Sequence, residues 1–125
     1  MLTQNPYQAY QTNQILLAKP EELTLHLYNG AIKFIQQAKM AMNKNEIEKT
    51  NELLLRVQDI LMELITTLNM EYEVSHSLLQ LYEYMKRRII EANIKKDQSI
   101  LQEAEEMLLE LKQTWMQAMK QAKPF

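Results

Sequence analysis

The chain has 125 residues, a net charge of −2, no cysteine and 46% hydrophobic residues. That length suffices for one domain with a real core, and the charge balance points to neither nucleic acid nor an acidic substrate. The missing cysteines exclude a disulfide framework and thiolate chemistry and fit the cytoplasm.

No apolar run approaches the roughly 18 residues of a membrane-spanning helix, so direct membrane insertion is not expected. The polar first residues, with two tyrosines, do not read as a signal peptide. Residues 1–18 contain Asn5-Pro6-Tyr7-Gln8-Ala9-Tyr10 and then a Gln/Thr/Asn run without helical periodicity. They are expected to form a flexible N-terminal arm ahead of a domain spanning 19–125. Tyr7, Tyr10, Ile15, Leu16 and Leu17 make that arm too apolar for a tail that only floats.

Pro20-Glu21-Glu22 is a good helix start: proline at the first position loses no needed N–H, and early carboxylates suit the positive end of the helix dipole. The first helix is expected over about 20–42. Leu23, Leu27, Ala31 and Phe34 fall on one stripe, and Leu25, Tyr28, Ile32 and Ile35 on a second, giving a wide apolar face. Gly30 is the chain's single glycine and lies mid-helix. Glycine there costs roughly 1 kcal/mol against alanine, so either a neighbouring helix crosses closely or the position seats a ligand or partner.

Asn45 reads as the N-cap of a second helix over about 46–69. Its inner face takes Ile47, Leu54, Val57, Leu61, Leu64 and Leu68, broadened by Leu53, Ile60 and Ile65. Ser75 reads as the cap of a third, with Leu78, Leu81, Tyr82, Met85, Ile89 and Ala92 inward, ending near Ile94. Asp97 caps a fourth, with Ile100, Leu101, Ala104, Leu108, Leu111, Trp115 and Ala118 inward, fraying from about Gln121. None of the three prolines interrupts these segments. The fold class expected is all-α, an antiparallel up-down four-helix bundle with a flexible N-terminal arm.

Little chemistry emerges. A di-iron bundle needs two Glu-x-x-His pairs; only Glu73…His76 has that spacing, at a helix start, so no metal or other cofactor is expected. Histidine phosphotransfer domains are four-helix bundles of this size with a motif resembling His-x-x-Lys-Gly. His26-Leu27-Tyr28-Asn29-Gly30 keeps the glycine spacing but has Asn29 at the lysine position, so a partly buried, unphosphorylated His26 is expected, with phosphotransfer as the alternative function. No catalytic constellation or phosphate loop is present, so the chain does not read as an enzyme. What remains is excess apolar surface and nine methionines, a residue suited to adaptable binding surfaces. Either the core is broad, or an exposed groove awaits an amphipathic partner helix. Periodicity leaves both open.

Several segments resemble the FliS family, cytoplasmic chaperones of flagellin export. They are Leu25-His26-Leu27-Tyr28-Asn29-Gly30-Ala31-Ile32-Lys33-Phe34, Thr67-Leu68-Asn69-Met70, Tyr84-Met85-Lys86-Arg87-Arg88-Ile89-Ile90-Glu91-Ala92-Asn93, Asp97, Trp115 and Tyr7-Gln8-Ala9-Tyr10. The resemblance implies a bundle that binds the disordered C-terminal segment of flagellin, prevents premature polymerisation, and delivers the client to the cytoplasmic domain of the export-gate protein FlhA. On that reading, client contacts are expected on the spare apolar stripes at Leu25, Tyr28, Ile32, Leu53, Ile60, Tyr84, Met116 and Met119. By resemblance Tyr7 and Tyr10 belong to an arm that caps the groove or engages the gate, and Ile15 is grouped with them.

Overall fold

The computed structural model describes residues 20–122, with side chains described over 21–121. The arm expected over 1–18, including Tyr7, Tyr10 and Ile15, lies outside the described residues. Four helices follow one another: α1 Pro20–Asn43, α2 Ile47–Thr66, α3 Glu73–Lys95 and α4 Gln98–Ala122. Short connections make neighbours antiparallel, and the packing runs α1 on α2, α2 on α3, α3 on α4 and α4 on α1. This is the expected up-down bundle.

The core follows helical spacing. Ala31, Ile35 and Ala38 of α1, Leu54, Val57, Leu61 and Leu64 of α2, Met85, Ile89 and Ala92 of α3, and Leu101 and Leu108 of α4 are fully buried. Two tyrosines cross the middle: the Tyr28 and Tyr82 hydroxyls lie 2.6 Å apart, and Trp115 sets its ring edge-on to Tyr28 at 6.4 Å. Burial raises the pKa of both phenols, so the pair is neutral. Each hydroxyl relies on the other for the bond that water would have supplied.

The α1–α2 seam is the most extensive, and Gly30 lies on it. A Cβ on Gly30 would stand 3.3 Å from Ile60 Cδ1. The glycine therefore serves a close helix crossing, the plainer of its two sequence readings. Arg56 stacks over the Phe34 ring at 5.6 Å and covers the seam's outer edge.

The helix ends depart from expectation in places. Asn45 does not cap α2: it takes a left-handed conformation (φ 56°), and Glu46 precedes the helix without a side-chain cap bond. An Asn tolerates that conformation well, so the polar break makes the turn itself. Ser75 does not cap α3, which starts two residues earlier at Glu73; Ser75 is buried in the first turn. α2 ends at Thr66, where Thr66 and Thr67 turn their hydroxyls onto the carbonyls of Glu63 and Leu64. Asp97 does cap α4, accepting from the backbone N–H and the hydroxyl of Ser99. These bonds hold its carboxyl below the usual aspartate range. Lys96 closes α3 in the left-handed region at φ 52°. Its ammonium donates to Asn51 Oδ1 at 2.7 Å, tying the turn to α2.

Three residues expected inside stand outside. Ile47 and Ala118 are exposed near helix ends, and Leu81 faces the loosely packed α3–α4 seam.

Candidate docking surface

The two seams of α4 are joined by polar ties. Between α1 and α4, Gln36 and Lys39 each donate to Glu105 at 2.9 Å, and Lys39 also reaches Gln102. Burial of Glu105 raises its carboxyl, but those two donors and the Lys39 charge outweigh it and leave the pKa below normal. Trp115 Nε1 donates to the Glu21 carbonyl at 2.8 Å, anchoring the start of α1. Between α3 and α4, Arg88 Nε donates to Glu103 at 2.8 Å and the Tyr84 hydroxyl to the same carboxylate at 3.1 Å. The Arg88 bond is the main reason that Glu103 is held below the usual carboxylate range. The charges at the start of α4 thus divide: Glu103 meets α3 and Glu105 meets α1. Neither group is arranged around a reacting centre, and among the described residues no cluster of three or more His, Cys, Asp or Glu could hold a metal ion.

The α2–α3 seam differs on its outer side. Lys86 Nζ reaches Met62 Sδ at 3.1 Å and Lys96 reaches Asn51, which sets the register of the antiparallel pair. At about 100° per residue, Leu55 and Met62 of α2 and Ile90 and Ile94 of α3 turn outward on one face. They are 55%, 42%, 38% and 77% exposed respectively. This apolar cluster is the candidate docking surface.

The residues expected to touch a client fall into three groups. Tyr28, Ile32 and Leu53 are core residues. Ile60 is half-buried under Gly30, and Tyr84 is half-buried at the α3–α4 seam with its hydroxyl engaged. Leu25 and Met119 are half-buried and Met116 is 47% exposed, on α1 and the last turns of α4. Only this last group, with the neighbouring Leu109, presents apolar surface along the α1–α4 edge. Leu55, Met62, Ile90 and Ile94 were not singled out by periodicity. A signal was present: Leu53-Leu54-Leu55 and Ile89-Ile90 are consecutive, and neighbours 100° apart cannot all face one core.

His26 is exposed, not partly buried as expected. The room left by Gly30 one turn later is taken by Ile60, so no space for a phosphoryl group follows from the glycine. A shallow pocket of about 200 Å³ lined by Gln37, Met40, Ala41, Lys44, Glu46 and Lys49 is too small and open to seat a helix. No described helix is long and apolar enough to cross a membrane.

Comparison with known proteins matches residues 3–122 to the sequence model of a family described as "Flagellar protein FliS". The chain is 46% identical over 118 residues to the flagellar secretion chaperone FliS of Bacillus subtilis, covering 94% of this chain and 89% of that protein. It is 34% identical over 107 residues to the protein of the same name from Vibrio cholerae, covering 84% and 79%. Among solved structures, one titled "Crystal structure of flagellar chaperone from bacteria" superposes with a TM-score of 0.78 at 21% identity, covering 94% of this chain and 99% of the other.

Proposed function

Because the chain belongs to the FliS family of flagellar secretion chaperones, we propose that it binds the disordered C-terminal segment of flagellin, blocks premature polymerisation in the cytoplasm and delivers the client to FlhA at the export gate. The observation that carries this reading is the apolar surface on the α2–α3 face, with a second strip at Leu25, Leu109 and Met116. A segment that folds on binding must bury about 1,000–3,000 Å², and ordering it costs about 2–5 kcal/mol or more. Two separated apolar strips suit a client that wraps, and flexible methionines at Met62 and Met116 adapt to its side chains.

The role needs no catalysis. Tyr28, Ile32 and Leu53 support the surface from the core, while Leu25, Tyr84, Met116 and Met119 remain client contacts in this proposal. Tyr7, Tyr10 and Ile15 are proposed to cap the groove or engage the gate. Mixing the purified chain with flagellin should give a soluble one-to-one complex on gel filtration, lost when flagellin's C-terminal segment is removed. Equal binding to truncated flagellin would overturn the assignment of the client segment.

A further inference from the structure

We propose that Met62 is an oxidation site on the outer α2–α3 face, where peroxide makes the docking surface polar while the Lys86 ammonium keeps the bundle intact. The consequence for a client rests on the flagellin reading; the oxidation and the role of Lys86 do not.

The chain has nine methionines and no cysteine, so thioethers are the groups in it that peroxide attacks first. Met85 is fully buried, and Met42 and Met107 pack against the core. Met40, Met62, Met70 and Met116 are between 40% and 59% exposed. Met62 differs from the other three in what its sulfur meets. Lys86 Nζ donates to Met62 Sδ at 3.1 Å across the seam. Among the described residues that sulfur is the only hydrogen-bond or ion-pair partner of the ammonium. An ammonium carries three donors and a thioether is a weak acceptor, so the pair is poorly matched.

Oxidation corrects the mismatch. Sulfur offers two lone pairs, one engaged by the ammonium and one free. The free pair attacks an oxygen of hydrogen peroxide, the O–O bond breaks, and that oxygen's proton passes to the departing hydroxide to give water. Sulfur is oxidised by two electrons and keeps the oxygen as a sulfoxide. The ammonium already beside it then donates a charge-assisted bond in place of a weak one. Sulfoxides commonly disrupt packing, but Met62 is 42% exposed and fills no part of the core cluster. A reductase with a dithiol restores the thioether, releasing water and keeping the disulfide itself.

The same step changes the surface. Met62 lies two turns from Leu55 on α2, and Lys86 one turn from Ile90 on α3. The sulfoxide and the ammonium drawn to it set two polar groups beside these exposed apolar side chains. A client helix laid on the face must then bury or displace them, which weakens it about tenfold.

Peroxide titration of the folded full chain tests this. Met40→Leu, Met70→Leu, Met116→Leu and Met119→Leu together make a background in which Met62 is the most exposed thioether among the described residues. Peptide mass spectrometry should find Met62 as the sulfoxide while Met85 is still intact. The urea midpoint of the oxidised chain should equal or exceed that of the reduced one. With Lys86→Leu it should fall on oxidation, and Lys86→Arg should prevent that fall. Binding of flagellin's C-terminal segment should weaken about tenfold on oxidation and return after treatment with methionine sulfoxide reductase and a dithiol. Adding Met62→Leu should abolish the response. A Met62 that reacts no sooner than Met85, or a midpoint that falls equally with and without the Lys86 ammonium, would overturn the proposal. Client binding indifferent to the sulfoxide would also overturn it, leaving the client reading intact. A segment that binds neither form would count against that reading, while a Lys86-dependent midpoint would sustain the site at Met62.

Discussion

α1 and α3 occupy opposite corners of the bundle, and they are held very differently. α1 is gripped on both flanks: against α2 through Gly30, Ala31, Ala38 and Ala41 with Ile60 crossing close, and against α4 through Glu105 and Trp115. Met40 is its one large apolar side chain that stands largely in solvent among those described. α3 packs less extensively on both flanks. It meets α4 through Arg88, Tyr84 and Glu103, and leaves Val74, Leu81, Ile90 and Ile94 exposed. Small residues let α1 sink into the bundle, whereas α3 places long polar and branched side chains at its edges. The difference separates the work of the two helices: α1 holds the fold, and α3 presents surface.

Truncating isoleucines tests that division most strongly. Ile35→Ala in α1 should cost about 2–5 kcal/mol in urea unfolding, since Ile35 is fully buried. Ile94→Ala in α3 should change stability by about 0.5 kcal/mol or less, as expected for an exposed side chain. A comparable loss at both would erase the contrast.

The tyrosine pair joins the two corners, so it measures how far α3 is committed to the core. Tyr82→Phe should destabilise by about 1–3 kcal/mol, because the buried Tyr28 hydroxyl loses its partner. Tyr28→Phe together with Tyr82→Phe should recover most of that, as neither hydroxyl is then stranded. If the double variant is as weak as the sum of the single ones, the hydroxyls do not act as a pair.

Acid sharpens the same comparison at smaller scale. Glu105, Glu103, Glu91 and Asp97 all have folded-state pKa values below their ordinary ones. Their stabilisation is present above the unfolded carboxylate pKa, about 4, and is lost as pH falls through the lower folded values. The melting temperature should therefore drop on acidification below about pH 4. Glu103→Gln should flatten that decline more than Glu105→Gln, because the Arg88 hydrogen bond dominates at Glu103 while burial opposes the depression at Glu105. The reverse order would mean that the Gln36 and Lys39 donors on the α1 side hold Glu105 more strongly than its burial opposes them.

Much of this was legible before the structure. Helix number, order and most inward positions followed from spacing, as at Leu54, Val57, Leu61 and Leu64, because burial selects one face. Gly30 was legible too, since a glycine inside a helix needs a reason. The caps at Asn45 and Ser75 misled because a polar residue near a helix start fits either a cap or the turn before it. The candidate surface was the least legible part. Tyr28 and Leu55 look alike in an apolar stripe, and only the packing of neighbouring helices decides which is closed over. Recognising the family supplied a client without saying which apolar residues meet it.

The most direct test of the central claim, that this bundle binds flagellin's C-terminal segment on exposed apolar surface, is titration calorimetry at several temperatures with the last ~40 residues of flagellin, a length able to bury the area required. One-to-one binding with a large negative heat-capacity change is expected, weakened when Leu55, Ile90 or Met116 is replaced by a charged residue while helicity is kept. Absence of binding, or binding untouched by all three substitutions, would contradict it.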